Sequence, residues 1–305
     1  MRVQMKNILC ATDFSNFSNC TIPYGVALAR EFNAKLYICH VIDFSSIAIY
    51  GEFQLNPVDQ QVRIKKQAAE QLNELIGEQP VKWEPLISAG HIADEVSRLV
   101  EEKEINLVIA ATRGRSGLKR LILGSVTERL MRVLSCPLLV VRSPEHEFVN
   151  PINQQIRLKK ILVGCDFSPD SDLAFQHALS LAQEFEASLY LAHVIEPSVY
   201  KDLSGPDNTL GEEIQQGLHE RLTKKLIDMV PEEARNWCTP TTCILEGHPY
   251  EELGRYAKGE DMDMIVLGVR GHGLVKTLFL GSTTDRVIRQ APCPVLSVST
   301  QAQND

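Results

Sequence analysis

The sequence predicts two copies of one α/β domain, each with a five-stranded parallel sheet that is covered by helices on both faces. Residues 6–42 align without a gap on residues 159–195, and 17 of the 37 positions are identical. Within each copy, apolar runs of strand length alternate with segments of helical periodicity. Strands that are apolar throughout are covered on both faces, and their alternation with helices implies right-handed crossovers and parallel pairing.

The repeat also sets the domain boundaries. The alignment resumes after a four-residue slip, where three pairs recur: Gly90-His91 with Gly247-His248, Gly124-Ser125 with Gly281-Ser282, and Cys136-Pro137 with Cys293-Pro294. A repeat of this length is a domain with its own core rather than a solenoid unit. We predict a first domain over residues 1–143, a polar, proline-marked linker over 144–158 and a second domain over 159–300.

Ten apolar runs are predicted to be strands because each is too short for a typical helix. In the first copy they cover residues 7–11, 35–42, 81–88, 107–111 and 138–142. In the second copy they cover residues 160–165, 188–195, 238–245, 264–268 and 295–298.

Helical periodicity is clearest after the first strand of the second copy. The residues on its apolar face are Ala174, Ala178, Leu181, Ala182 and Phe185. Ser168 is suited to cap this helix, Pro169 to its first position, and Asp170 to the positive end of the helix dipole. Further helices are predicted over residues 59–76, 91–102, 125–134, 210–229, 249–258 and 282–290.

Charge and apolar content exclude several classes of function. The formal net charge of −8 argues against a non-specific nucleic-acid binder, because binding to phosphate backbones needs clustered Lys and Arg. No apolar run reaches the roughly 18 to 20 residues that span a bilayer. Residues 1–10 lack the order of regions in a signal peptide. We therefore expect a cytoplasmic protein without membrane contact.

The eight cysteines contain no C-x-x-C pair and stand mostly in apolar runs, which predicts buried, reduced thiols. Cys238 and Cys243 are the only close pair. On one predicted strand they would point to opposite faces, and they lack the usual spacing of metal ligands.

A glycine-rich turn follows the fourth predicted strand of each copy. In the second copy, Gly268 and Gly271 precede nine residues and then Gly281-Ser282, which opens a helix. Backbone amides in such a turn and at a helix start bind anions, and the missing Cβ atoms let phosphate oxygens approach. The first copy repeats the spacing, with alanine at the first glycine. The candidate phosphate-binding residues are Ala111, Arg113, Gly114, Gly124, Ser125, Gly268, Arg270, Gly271, Gly281 and Ser282.

Two alternatives concern this turn. Ser125 with Glu128, and Ser282 with Asp285, also fit a capping box, which would serve only the helix. The recurrence of the whole spacing in both copies favours phosphate binding. Ala111 weakens binding in the first domain if the position needs a positive φ or a close backbone approach, and costs little otherwise. The second domain is therefore the stronger candidate.

An Asp-Phe-Ser sequence follows the first strand of each copy. Asp13 and Asp166 stand at the carboxyl ends of these strands, where doubly wound sheets bind ligands beside the reversal of winding direction. A carboxylate there can accept hydrogen bonds from ribose hydroxyls or from an adenine amino group. The alternative is that each aspartate only orders the start of the following helix.

Repeated histidines end the second strand of each copy. His40 and His193 lack neighbouring carboxylates or cysteines in the sequence, so we interpret them as structural side chains that donate to a backbone carbonyl. No catalytic triad, paired catalytic carboxylates or Walker lysine motif is found. The sequence predicts binding chemistry without hydrolysis machinery and no metal site of its own.

These repeated motifs, namely Asp-Phe-Ser, His-Val, Gly-His and the glycine spacing, resemble those of the universal stress protein family in its tandem-domain form. The resemblance implies a Rossmann-like fold of the adenine nucleotide alpha hydrolase type, with strand order 3-2-1-4-5 and domain pairing through the fifth strands. It implies that Asp13 and Asp166 lie by adenosine together with Thr12 and Cys165. It further implies that Val41 and Val194 contact adenine and that the glycine turns, with Ser125 and Ser282, hold the phosphates.

The predicted function is a stress-response protein that binds ATP, or AMP or ADP, and whose nucleotide biases domain pairing or the binding of a protein partner. Mg²⁺ is expected only as a companion of ATP. One alternative is a slow ATPase or nucleotidyl-transfer enzyme that uses the same cleft. Another is an interaction module that binds no nucleotide. Intramolecular pairing of the domains is expected, and homodimerisation stays open.

Overall fold

A computed structural model describes residues 4–43, 57–112, 124–142, 147–197, 208–270 and 281–300. The described residues form two compact units. One is built on residues 4–142 and 149–156, and the other on residues 147–148 and 157–300. The predicted phosphate residues Arg113, Gly114 and Gly271 lie outside the described residues.

The first unit alternates strands and helices. Its strands are β1 (Asn7–Ala11), β2 (Lys35–Ile42), β3 (Trp83–Ala89), β4 (Leu107–Ala111) and β5 (Leu138–Val141). Its helices are α1 (Asn16–Asn19), α2 (Thr21–Glu31), α3 (Pro57–Ile76), α4 (Ile92–Glu102) and α5 (Ser125–Val133). All strand pairs are parallel, in the order β3-β2-β1-β4-β5. The winding direction therefore reverses between β1 and β4.

The second unit repeats this plan. Its strands are β6 (Lys160–Gly164), β7 (Ser188–Ile195), β8 (Thr241–Glu246), β9 (Met264–Gly268) and β10 (Val295–Val298). Its α-helices are α6 (Pro169–Phe185), α7 (Asn208–Asp228), α8 (Pro249–Gly259) and α9 (Ser282–Gln290). The strands pair in parallel in the order β8-β7-β6-β9-β10. The predicted α/β class with two tandem Rossmann-like domains is confirmed.

Central strands are apolar because both of their faces are buried. Ile8 and Leu9 of β1, like Ile161 and Leu162 of β6, have no exposed surface. Helices pack on both sides, as expected for parallel sheets. None of the described helices combines the length and apolar character that crossing a membrane requires.

The third strand of each copy differs from its prediction. The predicted runs 81–88 and 238–245 begin too early, since β3 starts at Trp83 and β8 at Thr241. Before β8, residues Glu232–Asn236 form a 3₁₀ helix, and the Cys238 N–H donates to the Ala234 carbonyl at 2.8 Å. Cys238 is therefore not on a strand, and the prediction that it opposes Cys243 across a sheet is wrong.

The first helix is continuous in the second unit and interrupted in the first. α6 runs for 17 residues, whereas its counterpart is divided into α1 and α2 at Cys20. Pro23 has no N–H to donate to the Asn19 carbonyl, so the ladder of i to i−4 bonds is broken at this point. The Thr21 hydroxyl donates to the Ser18 carbonyl at 2.8 Å instead. The two copies therefore differ in the helix that follows the Asp-Phe-Ser sequence.

Part of the predicted linker packs on the first unit. Val149 and Ile156 form an isolated antiparallel bridge. Arg30 donates to the Gln154 carbonyl at 2.7 Å, and the Gln154 side-chain amide donates to Gln79 at 3.1 Å. The Val149 side chain is fully buried. A predicted spacer thus contains a turn with its own contacts.

All eight cysteines are free thiols, and six of them are buried. Burial raises the pKa of Cys39 and Cys293 to about 12, because the thiolate would lose its hydration. The prediction of buried, reduced thiols is confirmed for those six, whereas Cys20 and Cys136 are half-buried. No group of three or more metal-binding side chains occurs in the part of the chain that the structure describes.

Candidate functional site

The Asp loops follow β1 and β6, the strands that begin each copy. The Oδ1 atom of Asp13 accepts hydrogen bonds from the Ser15 N–H at 3.0 Å and from the Ser15 hydroxyl at 2.5 Å. Asp166 holds Ser168 by the same two bonds, at 3.0 and 2.5 Å. One carboxylate oxygen therefore orders the start of the following helix, as the alternative interpretation requires. This role does not exclude a ligand at the same carboxylate.

Each Asp loop contains a residue in the left-handed region. Phe14 has φ 64° and Phe167 has φ 62°, values that favour glycine. The strained turn aims each phenyl ring at the histidine that ends or nearly ends the next strand. The ring centroids of Phe14 and His40 lie 4.3 Å apart, and those of Phe167 and His193 lie 4.9 Å apart. Aromatic packing thus offsets backbone strain in both copies.

The repeated histidines are tied to the backbone of the neighbouring strand. Nδ1 of His40 lies 2.9 Å from the Thr12 carbonyl oxygen, and Nδ1 of His193 lies 2.7 Å from that of Cys165. A carbonyl oxygen can only accept, so Nδ1 carries the proton in both rings. The structural interpretation of these histidines is confirmed. In the second unit, Lys225 Nζ also lies 3.8 Å from the centroid of the Phe167 ring.

Stability of the second domain is expected to fall on acidification. Burial lowers the pKa of His193, with partial opposition from its bond to the Cys165 carbonyl, and burial also lowers the pKa of His177. The unfolded chain, with pKa near 6.5, then takes up protons more readily than the fold. The stabilisation that comes from keeping these histidines neutral is fully present above about pH 6.5. It is lost as the pH falls through their pKa values in the folded domain, which are lower.

Urea unfolding at pH 7.5 and 5.5 measures this effect. We expect a lower free energy of unfolding at pH 5.5, and a smaller difference between the two pH values in a His193→Asn variant. An equal difference in the variant and the parent would contradict the assignment to His193.

The residues predicted beside adenosine are largely buried. Thr12 is 6% exposed, Cys165 3% and Val41 8%, whereas Val194 is half-buried. The Thr12 hydroxyl donates to Asn19 at 2.8 Å, and the Cys165 thiol points to the Val163 carbonyl at 3.7 Å. Their side chains are thus engaged within the domain. Their N–H groups donate to the Cys39 and Ala192 carbonyls, and their own carbonyls accept from the histidines. Contact with a ligand at Thr12 and Cys165 stays a prediction.

The hydroxyl that follows the Asp loop differs between the copies. In the first unit, the Ser18 hydroxyl donates to Asp13 Oδ1 at 2.6 Å and accepts from the Asp13 N–H at 3.1 Å. Ser171 takes this place in the second unit, where its buried Oγ has no hydrogen-bond partner among the described residues. The polar network behind the Asp loop is therefore more extensive in the first unit.

The helix after the glycine turn begins directly over the end of the fourth strand. The Gly124 N–H donates to the Thr112 carbonyl at 2.9 Å, and the Thr127 hydroxyl donates to the Ala111 carbonyl at 2.7 Å. In the second unit the equivalent bonds run from Gly281 to Val269 at 3.0 Å and from Thr284 to Gly268 at 2.8 Å. The threonines were not predicted as site residues, although the repeated G-S-x-T sequence is a signal for them.

The capping-box alternative is wrong for this helix. Gly124 and Gly281 are the N-cap residues, with no side-chain cap hydrogen bond, so Ser125 and Ser282 are the first helical residues. The acidic residues pair forward with the next turn. Glu128 binds Arg132 at 2.7 Å, and Asp285 binds Arg289 at 2.8 Å. Among the described residues, no side chain caps the first amides of α5 and α9, which is the arrangement that favours an anion.

Close packing explains two glycines of the glycine turn in the second unit, Gly268 and Gly281. A Cβ atom on Gly268 would lie 2.7 Å from the Asp170 carbonyl carbon and 2.7 Å from the Ser171 nitrogen. A Cβ atom on Gly281 would lie 2.9 Å from the Val269 carbonyl oxygen. The close backbone approach considered for this position exists, but its partner at Gly268 is the first turn of α6. Gly268 does not have a positive φ.

Arg270 is held by its backbone. Its N–H donates to Asp170 Oδ2 at 3.0 Å, and its carbonyl oxygen lies 3.2 Å from the Ser168 hydroxyl, whose proton is shared with Asp166. The Arg270 amide, predicted as part of the phosphate turn, is thus committed to Asp170. Within the described part of this turn, the first amides of α9 are the donors that no side chain caps.

The Asp loop and the glycine turn lie on adjacent strands. β1 pairs with β4, with Leu9 opposite Val108, and β6 pairs with β9, with Leu162 opposite Ile265. The carboxyl ends of these pairs flank the reversal of winding direction. In doubly wound sheets this is the place where ligands bind.

Comparison with known proteins agrees with this arrangement. The model of the universal stress protein family matches residues 5–142 and again residues 157–299. A universal stress protein of Methanocaldococcus jannaschii is 31% identical over 144 residues, which are 47% of this chain and 85% of that protein. One from Thermus aquaticus is 35% identical over 142 residues, which are 46% of this chain and 98% of that protein.

A solved structure shares the fold over the whole length. The crystal structure of a universal stress protein from Archaeoglobus fulgidus has 21% sequence identity and a TM-score of 0.69, and the likeness covers 98% of this chain and 100% of that one. The two family matches together span nearly all of the sequence. The chain therefore belongs to the universal stress protein family.

Proposed function

We propose that this protein binds an adenine nucleotide, with ATP as the first choice and AMP or ADP as alternatives, and acts in stress response or signalling. The nucleotide would bias the interactions of the domains or of a protein partner. One observation carries the proposal. α9 begins at the end of β9 without a side-chain cap, and β9 lies next to β6, which leads into the Asp166 loop. Positive helix ends attract phosphate, and a carboxylate one strand away can accept from the ribose or the base.

The second cleft is the first choice in this proposal, because the link from Asp170 through the end of β9 fixes the start of its α9. Gly268, which the sequence predicts as the reason, packs against α6 and not against a ligand. The proposed phosphate donors are the first amides of α9, with Ser282 at its first position. Asp166, Val194 and Cys165 would line the adenosine side, as the family resemblance implies. Arg113, Gly114 and Gly271 remain part of the proposal as residues of the two turns.

Calorimetric titration of the full chain with ATP tests the proposal. We expect at least one site, and an Asp166→Asn variant should bind ATP about tenfold more weakly at one site, since a charged acceptor is lost. Asp172→Asn, an exposed change on the next turn, is the matched control and should leave binding unchanged. Absence of binding by ATP, ADP and AMP would refute the proposal and favour an interaction module.

The enzyme alternative has its own measurement. The same purified protein, incubated with ATP, should form ADP or AMP over time only if the cleft is a slow ATPase or a nucleotidyl-transfer site. Pairing of the two domains through the fifth strands and a cytoplasmic location are further parts of the proposal, and homodimerisation is the open alternative. Native mass spectrometry of the fresh protein would report oligomeric state and retained ligand together.

A further inference from the structure

Asp170 is a buried carboxylate in the first turn of α6, with 3% of its surface exposed. Its Oδ2 accepts from the Arg270 N–H at 3.0 Å, and its Oδ1 accepts from the Thr300 N–H at 2.9 Å and from the Thr300 hydroxyl. A buried carboxylate is tolerated only when hydrogen bonds satisfy it. These contacts fix the residues that leave β9 and β10 against the start of α6.

Two more contacts complete this attachment. The Ser168 hydroxyl, whose proton goes to Asp166 at 2.5 Å, also lies 3.2 Å from the Arg270 carbonyl oxygen, so the N–H of Arg270 is held by Asp170 and its carbonyl lies against the start of α6. A Cβ atom on Gly268 would collide with the Asp170 backbone at 2.7 Å. The end of β9 and the start of α6 are therefore in direct backbone contact.

The start of α9 is attached to the same strand end. Gly281 binds the Val269 carbonyl, and Thr284 binds the Gly268 carbonyl. The connection thus runs from α6 through the end of β9 to the first turn of α9. Asp166 stands four residues before Asp170 in the sequence, at the other side of the proposed cleft.

The described residues of the first unit show half of this connection. Its α5 is attached to β4 by the bonds of Gly124 and Thr127. At the position that aligns with Asp170, however, the first copy has Phe17, whose surface is 43% exposed. A phenylalanine cannot accept hydrogen bonds from the strand end. As far as the described residues show, a carboxylate link between the helix after the Asp loop and the glycine turn is therefore specific to the second unit.

We propose that Asp170 is a positioning residue of the second-domain nucleotide site. It sets the placement of the α9 amides relative to the Asp166 loop, and so preorganises the second cleft. The proposal rests on the proposed nucleotide binding. Preorganised donors bind a ligand more tightly because less ordering remains to be done on binding.

A purely electrostatic effect of Asp170 and a positioning role predict opposite changes in the ATP affinity of an Asp170→Asn variant. A negative charge near a polyphosphate repels it, so an effect of charge alone would make Asp170→Asn bind ATP more tightly. A positioning role predicts weaker binding, because asparagine has one acceptor oxygen and can accept from only one of the Arg270 and Thr300 N–H groups, whereas the carboxylate accepts from both. The phosphate part of the ligand should be affected more than adenosine, since Asp170 holds the end of β9 and α9, which carries the phosphate donors, is attached to that strand end.

The experiment compares ATP and adenosine on the full chain by calorimetric titration or competition. Asp170→Asn is expected to weaken ATP at one site about tenfold, as for the loss of a hydrogen bond to a charged group, and adenosine less than about twofold. Asp172→Asn, on the same turn but exposed, should leave both affinities unchanged. Equal or tighter ATP binding by Asp170→Asn, or an equal loss for ATP and adenosine, would overturn the positioning role.

A second variant covers the case in which Asp170→Asn does not fold, as judged by circular dichroism. Thr300→Val keeps the backbone donor and removes only the hydroxyl that binds Asp170. The affinity for ATP should fall about threefold, as for the loss of one hydrogen bond, and Thr300→Ser should restore it. An unchanged affinity in a folded Thr300→Val would overturn the role. Parent protein that binds no ATP would refute the proposed function itself, a different result from binding that ignores Asp170.

Discussion

A Gly268→Ala substitution should destabilise the second domain by about 2 to 3 kcal/mol, the cost of overpacking a site that cannot relax. The added methyl group would lie 2.7 Å from backbone atoms of Asp170 and Ser171. Backbone cannot rotate away as a side chain can, so the start of α6 has to move off β9. That movement would also stretch the bonds from Asp170 to Arg270 and Thr300.

Tryptophan fluorescence during urea unfolding can measure this loss. The chain has two tryptophans, Trp83 in the first unit and Trp237 in the second. A Trp83→Phe background therefore reports the second domain. Gly254→Ala is the matched control because nothing lies within 4 Å of the added Cβ on α8. It should leave stability unchanged or raise it by up to about 1 kcal/mol. Equal losses in both variants would contradict the packing argument.

A Gly281→Val substitution should weaken ATP binding at the second site by at least about 100-fold, if α9 supplies two or more hydrogen bonds to the phosphates. The first atom of the new side chain would lie 2.9 Å from the Val269 carbonyl oxygen. The Gly281 N–H now donates to that same carbonyl at 3.0 Å. Relief of the clash moves the helix start, and the branched side chain covers the amides.

Titration with ATP measures the number of tight sites before and after this change. Gly254→Val introduces the same side chain into open space in the same domain, and its ATP affinity should match the parent. Circular dichroism should show that both variants are folded. If Gly281→Val retains the affinity and stoichiometry of the parent, the start of α9 does not bind the phosphates.

The strand pattern was predictable where burial is complete. Residues 107–111 and 264–268 coincide with β4 and β9, because a strand covered on both faces is apolar at every position. The third strands are half-buried, so their apolar signal is weak at the edges. Their starts are set by pairing with the neighbouring strand, as where Leu36 pairs with Trp83. A local pattern does not contain that partner.

The site was predictable as far as the two copies agree. Asp13 and Asp166, and the glycines at positions 124 and 281, recur and therefore stand out. Asp170 does not recur, since Phe17 aligns with it, and the sequence suggests for Asp170 only an effect on the helix dipole. Its role depends on Arg270 and Thr300, which are 100 and 130 residues away along the chain. Comparison of the two copies identifies site residues that both contain, and it does not identify a residue such as Asp170 that only one copy has.

Because each unit contains buried cysteines, the rate of thiol labelling can report the opening of each domain separately. Cys10 and Cys39 are enclosed in the first unit, and Cys165 and Cys293 in the second. A thiol reagent attacks only a thiolate that it can reach, and these groups are neither ionised nor accessible in the native fold. The rate at which each cysteine acquires a label therefore counts how often its own domain opens. Peptide mapping of the labelled chain would separate the two rates in a single experiment without any mutation.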